Sequence, residues 1–591
     1  MARDMQWPAA GEFGSFVVPG TCFVPPTELQ REDDNSRRRS LRNSALRTLY
    51  ATTAMADVPR LLGAIDRNPY RRTYGCLDRQ FWHYRTAAFP SEMYQEGALP
   101  LALVYATMLP GNRWYGNPRV RQLAIAAIRF AAESSHADGS CDDYYPFERA
   151  FGAAVFSLQA TARAYQILEL DDPKLLKWFK RRADWIAGHG ESGKLANHQA
   201  LAALGLLRVA QITGLDSYRR AAQQSIGTLL DWQSDEGWFE EYGGADPGYH
   251  TLTIDCLAKY AKLSGDTTLD EPLRKAVDFA RWFLHPDGSY AGEYGSRGTF
   301  HFYPHGMELL AADNPYAVEL ADGFLQGLAA GKSASFGDDR MFIHRLGNLI
   351  EACSDWFPTR EEPRDDEDVS PPAKYFDRAR LLVRRAGGAH TIISAARGGV
   401  FKHFAHLADP VTDAGLIVEM SGGGVAVSQM HDRNLPVKLS LEEDGGDVRS
   451  LEVACPLCWT RFETATPIKQ AVFHLGMSTV GRCCRTLVRR IIQRRLITGR
   501  RRCPVRLKRS FEFLSPNESS DGPSLRVSDT IELTDRNARV RRMSFGTDHQ
   551  AAYVAAANVY QEGVLALWQD LDAHVDELNT RRCVTVVREF Y

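Results

Sequence analysis

The chain has 591 residues, 44% of them apolar and 24% charged, with a formal net charge of −2. That is ordinary globular composition, with room for roughly two to four domains. The near-neutral balance excludes bulk attraction to nucleic acid, and no apolar run approaches the roughly 18 residues of a spanning helix.

The N-terminus, "MARDMQWPAAGEFGSFVVPG", has no basic stretch followed by an apolar one, so a standard secretory signal is not expected. Eleven cysteines at irregular spacings read as reduced thiols rather than as a disulfide framework. The expectation is a soluble, cytoplasmic protein whose residues 1–45 are an N-terminal extension.

From about residue 46 to 358 the chain repeats itself. "ADGSCDDYYPFERAFGAAVFSLQATARAY" places a turn at Gly139, then aromatics and acids, then an apolar helix. "HGESGKLANHQALAALGLLRVA" does the same from Gly190 and "DEGWFEEYGGADPGYHTLTIDCLAKYAKL" from Gly237. "PDGSYAGEYGSRGTFHFYPHGMELLAA" follows from Gly288, and "FGDDRMFIHRLGNLIEACSDWF" from Gly337. A weaker copy, "AFPSEMYQEGALPLALVYATML", lies near residue 90. Each period holds a second, amphipathic helix, such as "SYRRAAQQSIGTLLDWQ". The unit is therefore a helical hairpin. About six hairpins in succession bury their apolar faces by closing into an α/α toroid, with the post-glycine aromatics and acids around one rim.

"TREEPRDDEDVSPPAKY" (359–375) is acidic and proline-rich and reads as a linker. After it the period changes. "AHTIISAARGGVFKHF", "GLIVEMSGGGVAVSQM", "SLRVSDTIELTD" and "CVTVVREFY" are β-branched and alternating, which predicts an antiparallel β-sandwich over 376–591. "RTLVRRIIQRRLITGRRRCPVRLKR" (485–509) is strongly basic and begins at helical spacing, with Leu487, Val488, Ile491 and Ile492 opposite Arg489, Arg490, Arg494 and Arg495. It reads as a helical insertion, either a solvated face or a patch for a polyanion or an anionic membrane surface. "CPLC" (455–458), with Cys483, Cys484 and Cys503, matches no zinc spacing, and neither a metal nor another cofactor is expected.

A toroid sets its inner-helix starts side by side. Those starts carry Arg149, then Asn197 and His198, then Tyr249 and His250, then His301 and His305, then His344 and Arg345. Helix N-termini favour anions, so this collection suits a carboxylate or a sulfate. Asn197 also fits as the N-cap of its helix. The rim adds Tyr145, Trp238 and Arg297 as substrate contacts, and the carboxylates Asp142, Asp143, Glu240, Glu241 and Glu293.

The Asn197–His198 pair, "DPGYH" (246–250) about fifty residues later, and the domain order resemble the heparinase II/III-like polysaccharide lyases and their alginate-lyase relatives. The resemblance implies an α/α toroid followed by an antiparallel β domain, and β-elimination on a polysaccharide or oligosaccharide containing uronic acid. It implies Asn197 and His198 on the substrate carboxylate, and Tyr249 as the acid that protonates O4 and, for a same-face elimination, also as the base. It implies a further catalytic histidine in "FKHFAHLADPVTDAG". His406 is the choice, with His403, His301 and His305 as alternatives. Two other readings stand beside it. The rim carboxylates are a glycoside hydrolase's acid and base, or the funnel binds glycan without changing it.

Overall fold

The computed structural model describes residues 28–191, 193–336, 339–360, 371–405, 408–442, 447–460, 466–493, 500–514, 524–548, 550, 559–561 and 565–591. The chain divides into two compact units, Met1–Ala45 and Leu46–Tyr591. What is described of the first is the start of helix α1 (Glu28–Ala64).

After the single turn of α2 (Arg79–Trp82), helices α3 (Ala98–Ala106) and α4 (Pro118–Ser134) form a hairpin. The pattern repeats with α5 (Phe151–Ile167) and α6 (Pro173–Ala187), α7 (Ala196–Thr213) and α8 (Asp216–Leu230), and α9 (Pro247–Ser264) and α10 (Asp270–Ala280). It ends with α11 (Pro304–Leu310) and α12 (Pro315–Ala329), then α13 (Asp339–Ser354). The first helix of each pair is apolar nearly all round. In α7, Ala200, Leu201, Ala202, Ala203, Leu204, Leu206 and Leu207 are all buried. A helix of that kind must have neighbours on every side, and each buried leucine contributes roughly 1.5–3 kcal/mol over an exposed one. The second helix buries one stripe only, as in α8 with Tyr218, Ala222, Ile226 and Leu229.

These two helix types sort into two rings. α3 packs on α5, α5 on α7, α7 on α9, α9 on α11, α11 on α13, and α13 returns to α3. The inner ring is closed, so the first half of the chain is an α/α toroid. The second half of α1 closes the outer layer beside α13: Arg47 Nε donates to the Cys353 carbonyl at 3.0 Å, and Tyr50 meets the Trp356 ring edge-on at 6.0 Å.

Two of the repeat glycines share a mechanical reason, whereas Gly190 has open space around it. Gly237 has φ +98, and a Cβ there would lie 2.2 Å from the Lys275 carbonyl of the following outer helix. Gly139 does the same against Arg181, at φ +88 and 2.6 Å. The turn can lie against the next helix only without a side chain.

Strands β1 (Ser335–Phe336) and β14 (Val559–Tyr560) pair with each other. The β domain proper begins with β2 (Ala373–Phe376), β3 (Leu381–Ala386), β4 (Ala389–Ser394), β5 (Val400–Ala405) and β6 (Ala408–Asp413), an antiparallel five-stranded meander. The second sheet contains β7 (Leu416–Met420), β8 (Val425–Val427), β9 (Val437–Leu441), β10 (Val448–Trp459), β11 (Arg502–Phe513), β12 (Leu525–Leu533), β13 (Val540–Phe545), β15 (Gln569–Asp570) and β16 (Cys583–Phe590). Its order is β15-β13-β7-β8-β10-β11-β12-β16, with β9 also beside β10, and every pairing is antiparallel. Leu382, Ile393 and Phe401 of the first sheet share one core with Leu451, Leu507, Phe511 and Val527 of the second. The two sheets form a sandwich. Within it Arg509 is fully buried between Asp413 and Asp529, at 3.0 and 2.5 Å.

The basic segment is only partly helical. Between β10 and β11 the chain runs through α14 (Pro467–Gly476), a wide turn (Met477–Gly481) and α15 (Arg485–Gln493). Residues 502–509, expected in the same insertion, belong instead to β11, whose alternation of buried and exposed residues is strict. Among the described residues no helix is long and apolar enough to cross a membrane, and no group of His, Cys, Asp and Glu is arranged to hold a metal ion.

Candidate functional site

Side chains from five of the six inner helices meet at one end of the toroid and form a continuous belt of rings. His198 of α7 lies 5.7 Å from Phe156 of α5, which lies 5.4 Å from His344 of α13. His344 is 5.1 Å from Tyr303, Tyr303 is 5.8 Å from His301, and His301 is 5.5 Å from Tyr249 of α9.

Two histidines in the belt are oriented by carboxylates. His198 Nδ1 is 2.9 Å from Glu191, and His344 Nδ1 is 2.7 Å from Glu96. A carboxylate on Nδ1 fixes the tautomer and leaves Nε2 for other work. Burial raises the Glu96 carboxyl, and His344 opposes that shift. The His198 ring lies over Gly152, where a Cβ would come within 2.5 Å of it.

Asn197 is not the N-cap of α7. Leu195 occupies that position and supplies no side-chain bond, while Asn197 is the second helical residue. The cap comes from the next repeat: Glu241 Oε1 accepts both the Asn197 backbone N–H at 2.9 Å and its side-chain N–H at 2.8 Å. Glu241 is fully buried, and burial pushes its carboxyl up to about 8 against the lesser pull of Asn197 and Arg297.

Asp246 caps α9, taking the Tyr249 N–H at 3.0 Å, and it also takes the Arg297 N–H at 2.8 Å. The loop carrying Arg297 is thus tied to the helix start carrying Tyr249. The Arg297 guanidinium stacks over the Tyr242 ring at 4.0 Å. Burial raises the Tyr249 hydroxyl well above its ordinary value, more than the Arg297 charge lowers it. The phenol is therefore protonated at neutral pH. Tyr242 and Arg149 both hold positive φ, at +52, on this rim.

Several buried polar atoms here have no hydrogen-bond partner among the described residues. They are Asn197 Oδ1, Glu241 Oε2, both His301 ring nitrogens, the Tyr303 hydroxyl and His344 Nε2. Each such atom costs roughly 1–3 kcal/mol when unpaired, so a cluster of them marks a place built for a polar ligand. His301 stays neutral, since burial lowers it to about 3.

The other expected residues fall elsewhere. His250 faces away from the funnel, with Nε2 2.9 Å from the Ala276 carbonyl of α10, and burial lowers it to about 4. His305 lies deeper, 2.9 Å from Asp355 and 3.5 Å from Glu351, in an ion network with Lys259 and Asp255. Trp238 is buried and donates to Glu236. Tyr145 packs edge-on against Phe473 of α14 at 5.5 Å, and Arg149 pairs with Asp138. His403 is satisfied inside the sandwich by Thr391 and Ser524, at 2.8 and 3.1 Å. His406 lies outside the described residues. A β-domain histidine that does reach the toroid is His431, which would be 2.4 Å from a Cβ on Gly244.

Among the rim carboxylates, Asp142 is consumed by the Phe147 and Arg149 amides and His136, Glu240 by Lys194, and Glu293 faces Lys402 at 3.2 Å. Glu148 is buried, and burial followed by the nearby Asp143 charge raises it to about 8. Sequence reasoning missed Glu191, Phe156, Tyr303 and Tyr242. Glu191 stands in the repeat segment with the Asn-His pair, and that position was its only signal.

No protein-family profile matches the chain, and no curated protein matches it. Among solved structures, a Paenibacillus xanthan lyase matches at 12% identity, covering 87% of this chain and 49% of its own, with a TM-score of 0.47. The Streptomyces coelicolor A3 chondroitin AC lyase, solved with chondroitin sulphate, matches at 12% identity over 90% of this chain and 69% of its own, with a TM-score of 0.49. An unsaturated glucuronyl hydrolase from Bacillus sp. GL1 matches at 14% identity over 44% of this chain and 85% of its own, with a TM-score of 0.33. The chain spans about half the length of the xanthan lyase.

Proposed function

We propose that the funnel cleaves a uronic-acid-containing polysaccharide or oligosaccharide by β-elimination. The observation that carries this reading is the cluster of buried, unpartnered polar atoms around Asn197, Glu241, His301, Tyr303 and His344, at the rim where Tyr249 and His198 stand.

Elimination takes the C5 proton beside the carboxylate and expels O4. Three roles are needed. The carboxylate must accept hydrogen bonds so that charge built up at C5 is tolerated. Asn197 gives one of its two side-chain N–H bonds to Glu241, and the protonated Glu241, through the unpartnered Oε2, is a further donor for the substrate. Tyr249, protonated, delivers a proton to O4. His198, with Nδ1 turned to Glu191, has Nε2 for the C5 proton. Asn197 then acts by holding Glu241 in place.

The test is incubation with a panel of uronate polymers, followed by ultraviolet absorbance. Elimination leaves a C4–C5 double bond conjugated to the carboxylate. Tyr249→Phe, which removes only the hydroxyl, is expected to lower turnover by roughly 10²–10⁴ while sparing substrate binding. The second reading, a hydrolase, is favoured by the two carboxyls raised to about 8, Glu148 and Glu241, which are suited to proton donation. It gives chain shortening without absorbance. Binding without chain shortening leaves the non-catalytic glycan-binding reading.

A further inference from the structure

The insertion that carries α14 and α15 is turned the opposite way from an ordinary surface helix. On a soluble protein, an amphipathic helix packs its aliphatic stripe inward and shows its charges to water. Here Arg489 points inward, paired with Glu191 of the toroid rim, and Phe473 packs on Tyr145. The aliphatic residues point out. Ile468, Val472 and Leu475 of α14 follow one another at helical spacing, and Leu487 and Ile491 of α15 stand one turn apart. With Val480 between the helices, each is more than half exposed, Ile468 at 77%. Scattered exposed leucines need no explanation, but six exposed aliphatic side chains within one short insertion do.

The charge around this face has one sign. From Thr464 to Ser510 the chain contains no Asp or Glu, while Lys469, Arg482, Arg485 and Arg490 belong to the insertion besides the inward Arg489, and Arg501 and Arg502 follow it beside Arg500, which pairs with Asp432. A soluble polyanion would use the cations and leave the aliphatic side chains in water. A surface with anionic headgroups above hydrocarbon uses both.

We propose that the α14–α15 insertion docks on an anionic phospholipid bilayer, with Ile468, Val472, Leu475, Val480, Leu487 and Ile491 entering the interface and the net positive charge of this stretch drawing it to the headgroups. The inward pairs of Arg489 and Phe473 hold the insertion on the toroid rim, so docking brings the funnel mouth to the membrane surface.

The test uses the full chain and sedimentation with vesicles of phosphatidylcholine, alone or containing phosphatidylglycerol, in parallel with retention on immobilised dextran sulfate. Binding to the phosphatidylglycerol vesicles is expected, weak binding to phosphatidylcholine alone, and a fall with rising salt. The variant Val472→Ser/Leu475→Ser/Leu487→Ser/Ile491→Ser changes only exposed side chains and no charge. It is expected to lose vesicle binding at least tenfold and keep its dextran sulfate retention. Vesicle binding unchanged in this variant, retention on dextran sulfate without vesicle binding, or binding to neither overturns the proposal.

Discussion

Glu241→Gln tests the electrostatics of the site without disturbing its shape. In the folded chain the carboxyl holds its proton up to about 8, against an ordinary 4.5, because it is buried. The unfolded chain releases that proton above its ordinary value. The folded state therefore binds more protons than the unfolded between these two values, and stability falls as pH rises through that window. Carried across the whole window from 4.5 to about 8, the cost is on the order of 5 kcal/mol by pH 8, an upper figure because the site relaxes when it ionises. Glutamine carries no such cost. Its side-chain oxygen can still accept the two Asn197 N–H groups that cap α7. Thermal unfolding from pH 5 to pH 9 is the assay. Parent and variant are expected to melt alike near pH 5, with the variant gaining progressively toward pH 8. A difference in Tm that does not change with pH would refute the buried, protonated Glu241, and with it the donor assigned to the substrate carboxylate.

Gly152→Ala pushes a methyl into the His198 ring, which a Cβ would approach to 2.5 Å. It is expected to lower kcat at least tenfold with little change in Tm, read by the absorbance assay and by melting. Glu191→Gln removes the carboxylate that orients His198 and is expected to lower kcat rather than to change substrate affinity, read by the absorbance assay. Arg509→Met leaves Asp413 and Asp529 buried with Arg588, at 2.8 and 2.7 Å, as their one remaining cation among the described residues, and is expected to cost roughly 3–5 kcal/mol, read by denaturant unfolding.

The toroid was legible because its signal is periodic. A glycine turn every fifty residues, followed by an apolar helix, fixes both the hairpin and the neighbour it packs on. The same periodicity placed Asn197, His198, Tyr249 and His301 on one rim. It could not say which way a side chain points from its helix. His250 follows Tyr249 directly and turns about a hundred degrees around α9, into the core against α10. The N-cap reading of Asn197 failed because the cap comes from Glu241, 44 residues further along, and no local pattern carries that. The sandwich could be read from alternating strands. The boundary inside 485–509 could not, because arginines serve equally on the exposed edge of α15 and on the solvent side of β11.

Closure of the inner ring also sets an order of assembly. Glu96 and His344, which meet at the funnel, are 248 residues apart, and they come together only when α13 docks on α3. Until then the growing chain is an open arc, with the apolar flanks of α3 and α11 both uncovered. Contacts of such span form late and slowly. During synthesis the first five hairpins exist for a time as an incomplete arc exposed to self-association. A chain ending before residue 339 would retain Asn197, His198 and Tyr249 but leave this arc permanently open.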